Sequence, residues 1–417
     1  MKRHAIFLGL LAFSQPLLAA DLLQTYRDAR SNDAVYASAR AALEAGKEKL
    51  PQGLSLLLPT VNGTANTTYN DNQILFRNAT PGPFVRKFNS NGWTVTLSQP
   101  LVRMQNWEQY KQAEFQVAQA EASFGQTSQD LIVRVAQSYF DVLASQDSLA
   151  FIQAQKSAIS EQLAQAKRNF EVGTATITDT HEAQARFDLA TSQEIAAQND
   201  LELKKRVVQQ LIGKFPEAFA PLKTSAQLNP PQPNAMEPWV ESAERQNFTV
   251  RIQEAGFEIA SREVRRNRAG HLPTLDLVGS YGETGASSNI LNGTGSDTRG
   301  ATVGLQLTVP LYAGGGTTSR VRESVALLEK SRQDLENARR SAALSSRQSY
   351  LGVTNGMAQV RALEQALISS QSALDSNKLG YEVGVRINID VLNAQQQLFS
   401  TKRDLSRARY DLSLIHI

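Results

Sequence analysis

Few residues in this 417-residue chain have the types and spacings that do chemistry. There is no cysteine, which removes disulfides, thiolate metal sites, a cysteine nucleophile and a lipidated N-terminal cysteine. His181 and His271 stand alone, without ligand spacing around them, so no metal is expected. No nucleophile constellation or phosphate-cradling loop points to an enzyme or to a cofactor. What remains is a pair of matching clusters, Phe170-Glu171-Val172-Gly173 with Asp179 and Tyr381-Glu382-Val383-Gly384 with Asp390. Their chemistry is non-covalent. Gly173 and Gly384 suit helix ends that need a left-handed backbone, and Thr178 or Asp179 before Glu182 suits an N-cap with a capping box. Asp390 reads equally as a helix-start residue.

These clusters belong to a duplicated chain. Laid against itself, the sequence repeats at an offset of about 210 residues. Leu58-Pro59-Thr60 answers Leu272-Pro273-Thr274, Gln99-Pro100-Leu101 answers Val309-Pro310-Leu311, and Ser138-Tyr139 answers Ser349-Tyr350. Residues 21–213 form the first expected repeat: an opening helix at about 21–52, strands near 60–70 and 91–101, then a helical hairpin over 103–213. Residues 237–417 form the second, with a helix at about 237–270, strands near 274–284 and 300–311, and a hairpin over 317–417. By the repeat offset the last helix stops about seven residues short of its counterpart, so it is expected to be truncated. The connector, 214–236, lies in a proline-rich stretch and reads as irregular chain.

In the β segments Trp93, Val95 and Leu97 alternate with Thr94, Thr96 and Ser98, and Val303, Leu305 and Leu307 alternate with Gly304, Gln306 and Thr308. One face is apolar and the other polar. These runs approach the roughly 9–11 residues that a tilted strand needs to cross a bilayer, and Tyr69, Trp93, Tyr281 and Tyr312 lie towards strand ends, where an aromatic girdle would place them. The same alternation also serves a soluble sheet with one wet face. Segments 70–91 and 283–300, rich in Asn, Gly, Ser and Thr, read as long external loops.

From Arg103 to Glu171 and from Thr318 to Glu382 there is no proline and little glycine, so each run is expected to form a helix on the order of 100 Å long. Ile132, Val135, Tyr139 and Val142 step as a coiled-coil seam does, as do Ile159, Leu163, Ala166 and Phe170, and Val360, Leu363, Leu367 and Leu374. The other faces, crowded with Ala, Ser and Gln, suit close neighbours and water.

The chain opens with Lys2 and Arg3, an apolar stretch from Ala5 to Phe13 and small residues at Ala19-Ala20, the three regions of a secretory signal peptide, so residues 1–20 are excluded from the fold. No later run is long and apolar enough for a transmembrane helix. Of the 43 Lys and Arg, two lie in that leader, and the rest nearly balance 40 interspersed Asp and Glu. That balance excludes a nucleic-acid surface. Four strands cannot close a membrane barrel alone, because unpaired edges are too costly in lipid; strands that enter the membrane require an oligomer.

Gly380 to Ala394, reading GYEVGVRINIDVLNA, resembles the second helix-tip motif of the TolC family of outer-membrane efflux proteins, and Val172-Gly173 through Ile177-Thr178-Asp179 resembles the first. Val309-Pro310-Leu311-Tyr312-Ala313-Gly314-Gly315 and Leu57-Leu58-Pro59 are similar to that family's barrel-entry segments. The resemblance covers nearly all of the mature chain. It implies a mixed α and β membrane protein: a homotrimeric 12-stranded outer-membrane β-barrel, four strands per chain, continuing into a periplasmic α-helical barrel of coiled-coil hairpins, with the connector in an equatorial belt.

The function it implies is an exit duct of a tripartite efflux pump or type I secretion system, not an enzyme. It would carry drugs or proteins from a periplasmic adaptor (membrane fusion) protein and an inner-membrane ABC or proton-driven (RND-type) transporter to the outside, surrounded by outer-membrane lipid. By the same resemblance the periplasmic gate comprises Tyr381 and Arg386, with Thr178 and Asp179 as polar partners and Asp390 as a constricting carboxylate. Asn393 stands where the best-known member of that family carries a second aspartate, which weakens the inference of strong cation selectivity, and the turns at Gly173 and Gly384 would meet the adaptor. A trimeric coiled-coil surface fibre or adhesin and a passive porin are the competing readings; the first does not need two halves with matching helix tips, and long periplasmic helices argue against the second.

Overall fold

The computed structural model describes residues 20–75, 77, 84–216, 218–222, 229–288 and 293–417. Apart from Ala20, the expected signal peptide lies outside these residues. In chain order the elements are α1 (Leu22–Asn32), α2 (Ala34–Lys47), α3 (Lys49–Ser55), β1 (Thr60–Ile74), β2 (Phe84–Val102), α4 (Met104–Glu171), α5 (Ile177–Ile212), α6 (Glu237–Gln246), α7 (Phe248–Arg268), β3 (Thr274–Ala286), β4 (Ser296–Thr308), α8 (Gly316–Glu382) and α9 (Asn388–His416). Among the described residues no helix is long and apolar enough to cross a membrane.

The opening helices are interrupted where one helix each was expected. Asp33 separates α1 from α2 in an extended conformation, and its carboxylate accepts from the Tyr36 amide at 2.7 Å. Asn247 separates α6 from α7 and accepts from the Thr249 amide at 2.8 Å. A short acceptor side chain that satisfies the first free amides of a new helix ends the old one at the same stroke.

The chain divides into two compact units. One comprises residues 39–126 and 242–343 and contains the sheet, whose strands run in the order β1-β2-β3-β4, all antiparallel. The register pairs Val61 with Leu97, Val95 with Tyr281, Leu277 with Leu305 and Gly279 with Val303, so these residues share one face. Trp93 and Tyr281 meet edge to face on it, ring centroids 5.6 Å apart. The other face carries Asn62, Thr94, Thr96, Ser280 and Thr302, with Ser280 and Thr302 hydroxyls 2.7 Å apart. The apolar face is bare in the single chain, Val303 being 83% exposed.

All four strands extend into segments expected as loops, because the main-chain ladder continues irrespective of how polar the side chains are: Asn72 still pairs with Arg86, and Gly285 with Asp297. β4 stops at Thr308, before the expected 311, where Pro310 lacks the N–H a ladder needs. Pro100 coincides with the register shift between β2 and β3. In the same unit Val250 of α7 packs on Ala338 and Ala342 of α8, and the Phe248 ring fills the space over Gly125 of α4 that a methyl would need.

The other unit comprises the described parts of 1–38, 127–241 and 344–417. Leu131, Val135 and Val142 of α4 are fully buried, whereas Ile132, expected in the seam, is 39% exposed and Leu131 takes its place. Phe170, also expected in a seam, is exposed. α4 and α5 are held together by Ser145–Asp200 at 2.7 Å, Lys156–Glu194 at 2.8 Å and Lys204–Asp141 at 3.1 Å. α9 joins α4 through Asp147, which accepts from Ser406 and from Tyr410.

The matched tyrosines of the two halves do one job. Tyr139 donates to the Ala220 carbonyl at 2.6 Å and Tyr350 to Asn234 at 3.1 Å, so each pins part of the connector region.

Candidate functional site at the helix tips

Both hairpins turn in the same way. After α4, Gly173 has φ 77°, and the amides of Thr174 and Ala175 both donate to the Asn169 carbonyl. After α8, Gly384 has φ 79°, and the amides of Val385 and Arg386 both donate to the Gly380 carbonyl. A methyl at either glycine would meet open space, so glycine is required by the left-handed backbone and not by crowding.

The next turn differs between the halves. At the start of α5 the capping box is built by Thr176, three residues before Asp179: the Thr176 hydroxyl accepts from the Asp179 amide, and the Asp179 carboxylate accepts from the Thr176 amide at 2.9 Å and hydroxyl at 2.8 Å. The cap is therefore neither Thr178, which is exposed, nor Asp179 acting before Glu182. At the start of α9 the corresponding residue is Ile387, which has no side-chain acceptor, and Asp390 lies 3.7 Å from Arg386 instead.

Near the tips, three sets of side-chain hydrogen bonds tie the hairpins together within the chain. Asn169 of α4 donates to the Tyr381 hydroxyl at 3.2 Å. Arg186 of α5 donates to the side-chain oxygens of Asn393 at 3.0 Å and Gln396 at 2.7 Å. Gln162 of α4 donates to Asn388 at 2.6 Å, and Asn388 donates on to the Asp179 carbonyl at 3.4 Å. Tyr381 and Asp179 thus have Asn169 and Thr176 as their side-chain partners in the chain, where the resemblance paired them with one another's cluster.

Around these contacts Ile159, Leu163, Ala166, Ala183, Ala190 and Leu392 form an apolar cluster, with Phe187 and Ile389 packed against it. Asp390 and Asn393 line a groove between α8 and α9 together with Ser369, Ala373 and Asn377. No cluster of three His, Cys, Asp or Glu side chains suited to a metal occurs among the described residues.

Thr176, Asn169, Gln162, Arg186 and Asn388 were not picked out from sequence. Thr176 alone carried a local signal, its spacing to Asp179. The arrangement at the tips consists of side-chain hydrogen bonds and the Arg386–Asp390 ion pair.

The outer membrane efflux protein family model matches residues 25–214 and 239–415, one match in each half. The chain belongs to the outer membrane efflux protein family. It is 34% identical over 402 residues to the outer membrane protein TolC of Vibrio cholerae, covering 96% of this chain and 90% of that one. It is 32% identical over 406 residues to the alkaline protease secretion protein AprF of Pseudomonas aeruginosa, covering 96% and 84%. The outer membrane channel CmeC of Campylobacter jejuni has the same fold, with a TM-score of 0.82 at 16% identity over 94% of this chain and 83% of that one. As a member of this family the chain is an outer-membrane protein whose sheet and helical hairpins are those of an efflux channel.

Proposed function

We propose that three copies of this chain form an outer-membrane exit duct that serves efflux or type I secretion and is gated at the helix tips. The observation that carries the duct is the sheet: one face apolar, the other polar, and β1 and β4 each paired on one side only. In lipid such edges must be closed by other copies, and a closed sheet with polar residues inward lines a water-filled lumen. Twelve strands from three copies make that barrel, and the paired hairpins make the periplasmic tube. A fibre or adhesin has no use for an apolar outer face on a sheet. The tube receives cargo from a periplasmic adaptor, contacting the turns at Gly173 and Gly384, and from an inner-membrane ABC or RND-type transporter. Relatives named for TolC and for protease secretion support both kinds of export.

Thr178, Asp179, Tyr381, Arg386, Asp390 and Asn393 form the gate. The Tyr381 hydroxyl accepts from Asn169, which leaves its proton to donate, and the exposed Arg386 has donors beyond Asp390. Both are thereby equipped to bond a neighbouring copy, each such link contributing on the order of 1–3 kcal/mol. Single-channel conductance in planar bilayers tests this. A low conductance that rises several-fold in Tyr381→Phe with Arg386→Ser is expected. A large conductance unchanged by the pair points to a passive porin, and none from a membrane-extracted trimer ends the duct reading.

A further inference from the structure

Asn388, the first residue of α9, is 1% exposed, and its partner Gln162 on α4 is 7% exposed. The Gln162 amide nitrogen donates to the Asn388 side-chain oxygen at 2.6 Å, and the Asn388 amide nitrogen donates to the main-chain carbonyl of Asp179 on α5 at 3.4 Å. One side chain of the second hairpin therefore reaches both helices of the first. Ile159 and Ala166 lie about one turn either side of Gln162, Leu163 and Ile389 directly follow Gln162 and Asn388 in the chain, and all four belong to the apolar cluster or pack on it.

An uncharged amide pair in such surroundings gains little while it is made and is expensive to leave half-made. Its net contribution is small beside the desolvation penalty of a buried amide without a partner. The contact therefore has two stable conditions. Either the amides face each other inside the cluster, or the hairpins separate far enough for both to reach water. Intermediate displacements are penalised, and a two-condition contact of this kind holds a moving part in one place.

Its position decides which part. Asn388 lies two residues after Arg386 and two before Asp390, on the turn that enters α9. Displacing Asn388 from Gln162 displaces both of those groups. The exposed Arg386–Asp390 pair is worth little by itself. Nor does Arg186, bonded to the exposed Asn393 and Gln396, fix depth in the way a buried contact does.

We infer that the Gln162–Asn388 amide pair is an intramolecular latch that holds the second hairpin against the first and so sets the closed position of the tip. This rests on the gate reading above. Asn388 and Gln162 touch no cargo; they are positioning residues.

The test is conductance of the full-length protein in planar bilayers, with trimer content checked on the same preparation. Asn388→Leu strands Gln162 in the cluster and is expected to raise open-state occupancy about fivefold or more. Asn388→Leu combined with Gln162→Leu removes both polar groups, keeps an apolar contact and is expected to return conductance towards the native level. If Asn388→Leu does not yield trimers, Gln162→Ala is read instead, since it leaves Asn388 its bond to the Asp179 carbonyl. An intact trimer of the variant read that conducts as the native protein does overturns the latch, and so does a double variant that stays open. Tyr381→Phe with Arg386→Ser is run in parallel. A rise there without one here removes the latch alone, whereas no rise in that pair removes the gate itself.

Discussion

Thr176 and Ile387 occupy equivalent places in the two helix tips, and only Thr176 can hold an aspartate. The Thr176 hydroxyl and amide engage the Asp179 carboxylate in a closed capping box. Ile387 offers the same main-chain geometry without the hydroxyl, so Asp390 keeps its carboxylate for Arg386. The duplication thus supplies one aspartate that secures its own helix and one that is available to something else.

Giving Ile387 a hydroxyl should erase that difference. Ile387→Thr is expected to build the second capping box and to stabilise the start of α9 by about 1 kcal/mol, seen as a higher midpoint of thermal unfolding. Thr176→Ala should lose a similar amount. If the two substitutions shift the midpoint in the same direction, the comparison of the caps is wrong.

Acid should loosen the joint between α1 and α2. Asp33 is buried and accepts two hydrogen bonds at 3.0 Å from the Arg134 guanidinium, which holds its carboxyl below the ordinary range against the opposing effect of burial. A depressed carboxyl contributes stability that is present above its unfolded value, about 3.9, and is lost as pH falls through the lower folded value. Native protein should therefore lose stability on acidification below about pH 4 more steeply than Asp33→Asn, which starts less stable at neutral pH. Parallel curves for the two proteins would remove the ion pair from the account.

Alkali should act on Tyr139. Burial is the main cause that pushes its phenol up to about 12, and the hydroxyl donates to the Ala220 carbonyl. The stability it confers is complete below the unfolded value of about 10 and is lost as pH rises through the folded one. Tyr139→Phe should free the connector near Ala220 for limited proteolysis at neutral pH. Cleavage at the native rate would show that the hydrogen bond holds nothing.

Gly125 marks a close approach inside a long helix. Gly125→Ala would drive a methyl into the Phe248 ring, and overpacking of this kind costs about 1–3 kcal/mol. Elsewhere in a helix the same change is worth a gain of roughly 0.5–1 kcal/mol. A stabilised variant in chemical denaturation would mean that the ring moves aside.

What could be read from sequence followed from periodic signals. Alternation located the strands, since the exposed apolar row of Val303 and Leu305 is a property of every second residue. The absence of proline located α4 and α8, and Gly173 and Gly384 located the turns. Features that depend on one residue were lost. Asp33 and Asn247 each end a helix with a single side chain, inside runs whose apolar pattern continues past them. Thr176 was displaced by Thr178 because both precede acidic residues. Gln162 and Asn388 carry no charge, follow no period and lie in different halves, so only the packing of α4 against α9 makes them partners.

The sheet bears on how such a chain reaches its destination. β1 and β4 present hydrogen-bonding edges with no partner strand beyond them in the sheet, and exposed edges of this kind are also where unrelated chains stick. If copies of the chain close the barrel as proposed, a newly exported copy is unfit for lipid and prone to clumping until its siblings arrive. Supply then governs more than quantity, because the yield of finished ducts should depend on the concentration of free chains more steeply than in direct proportion. On the proposed trimer, a cell that halves the supply is expected to lose more than half of its exits.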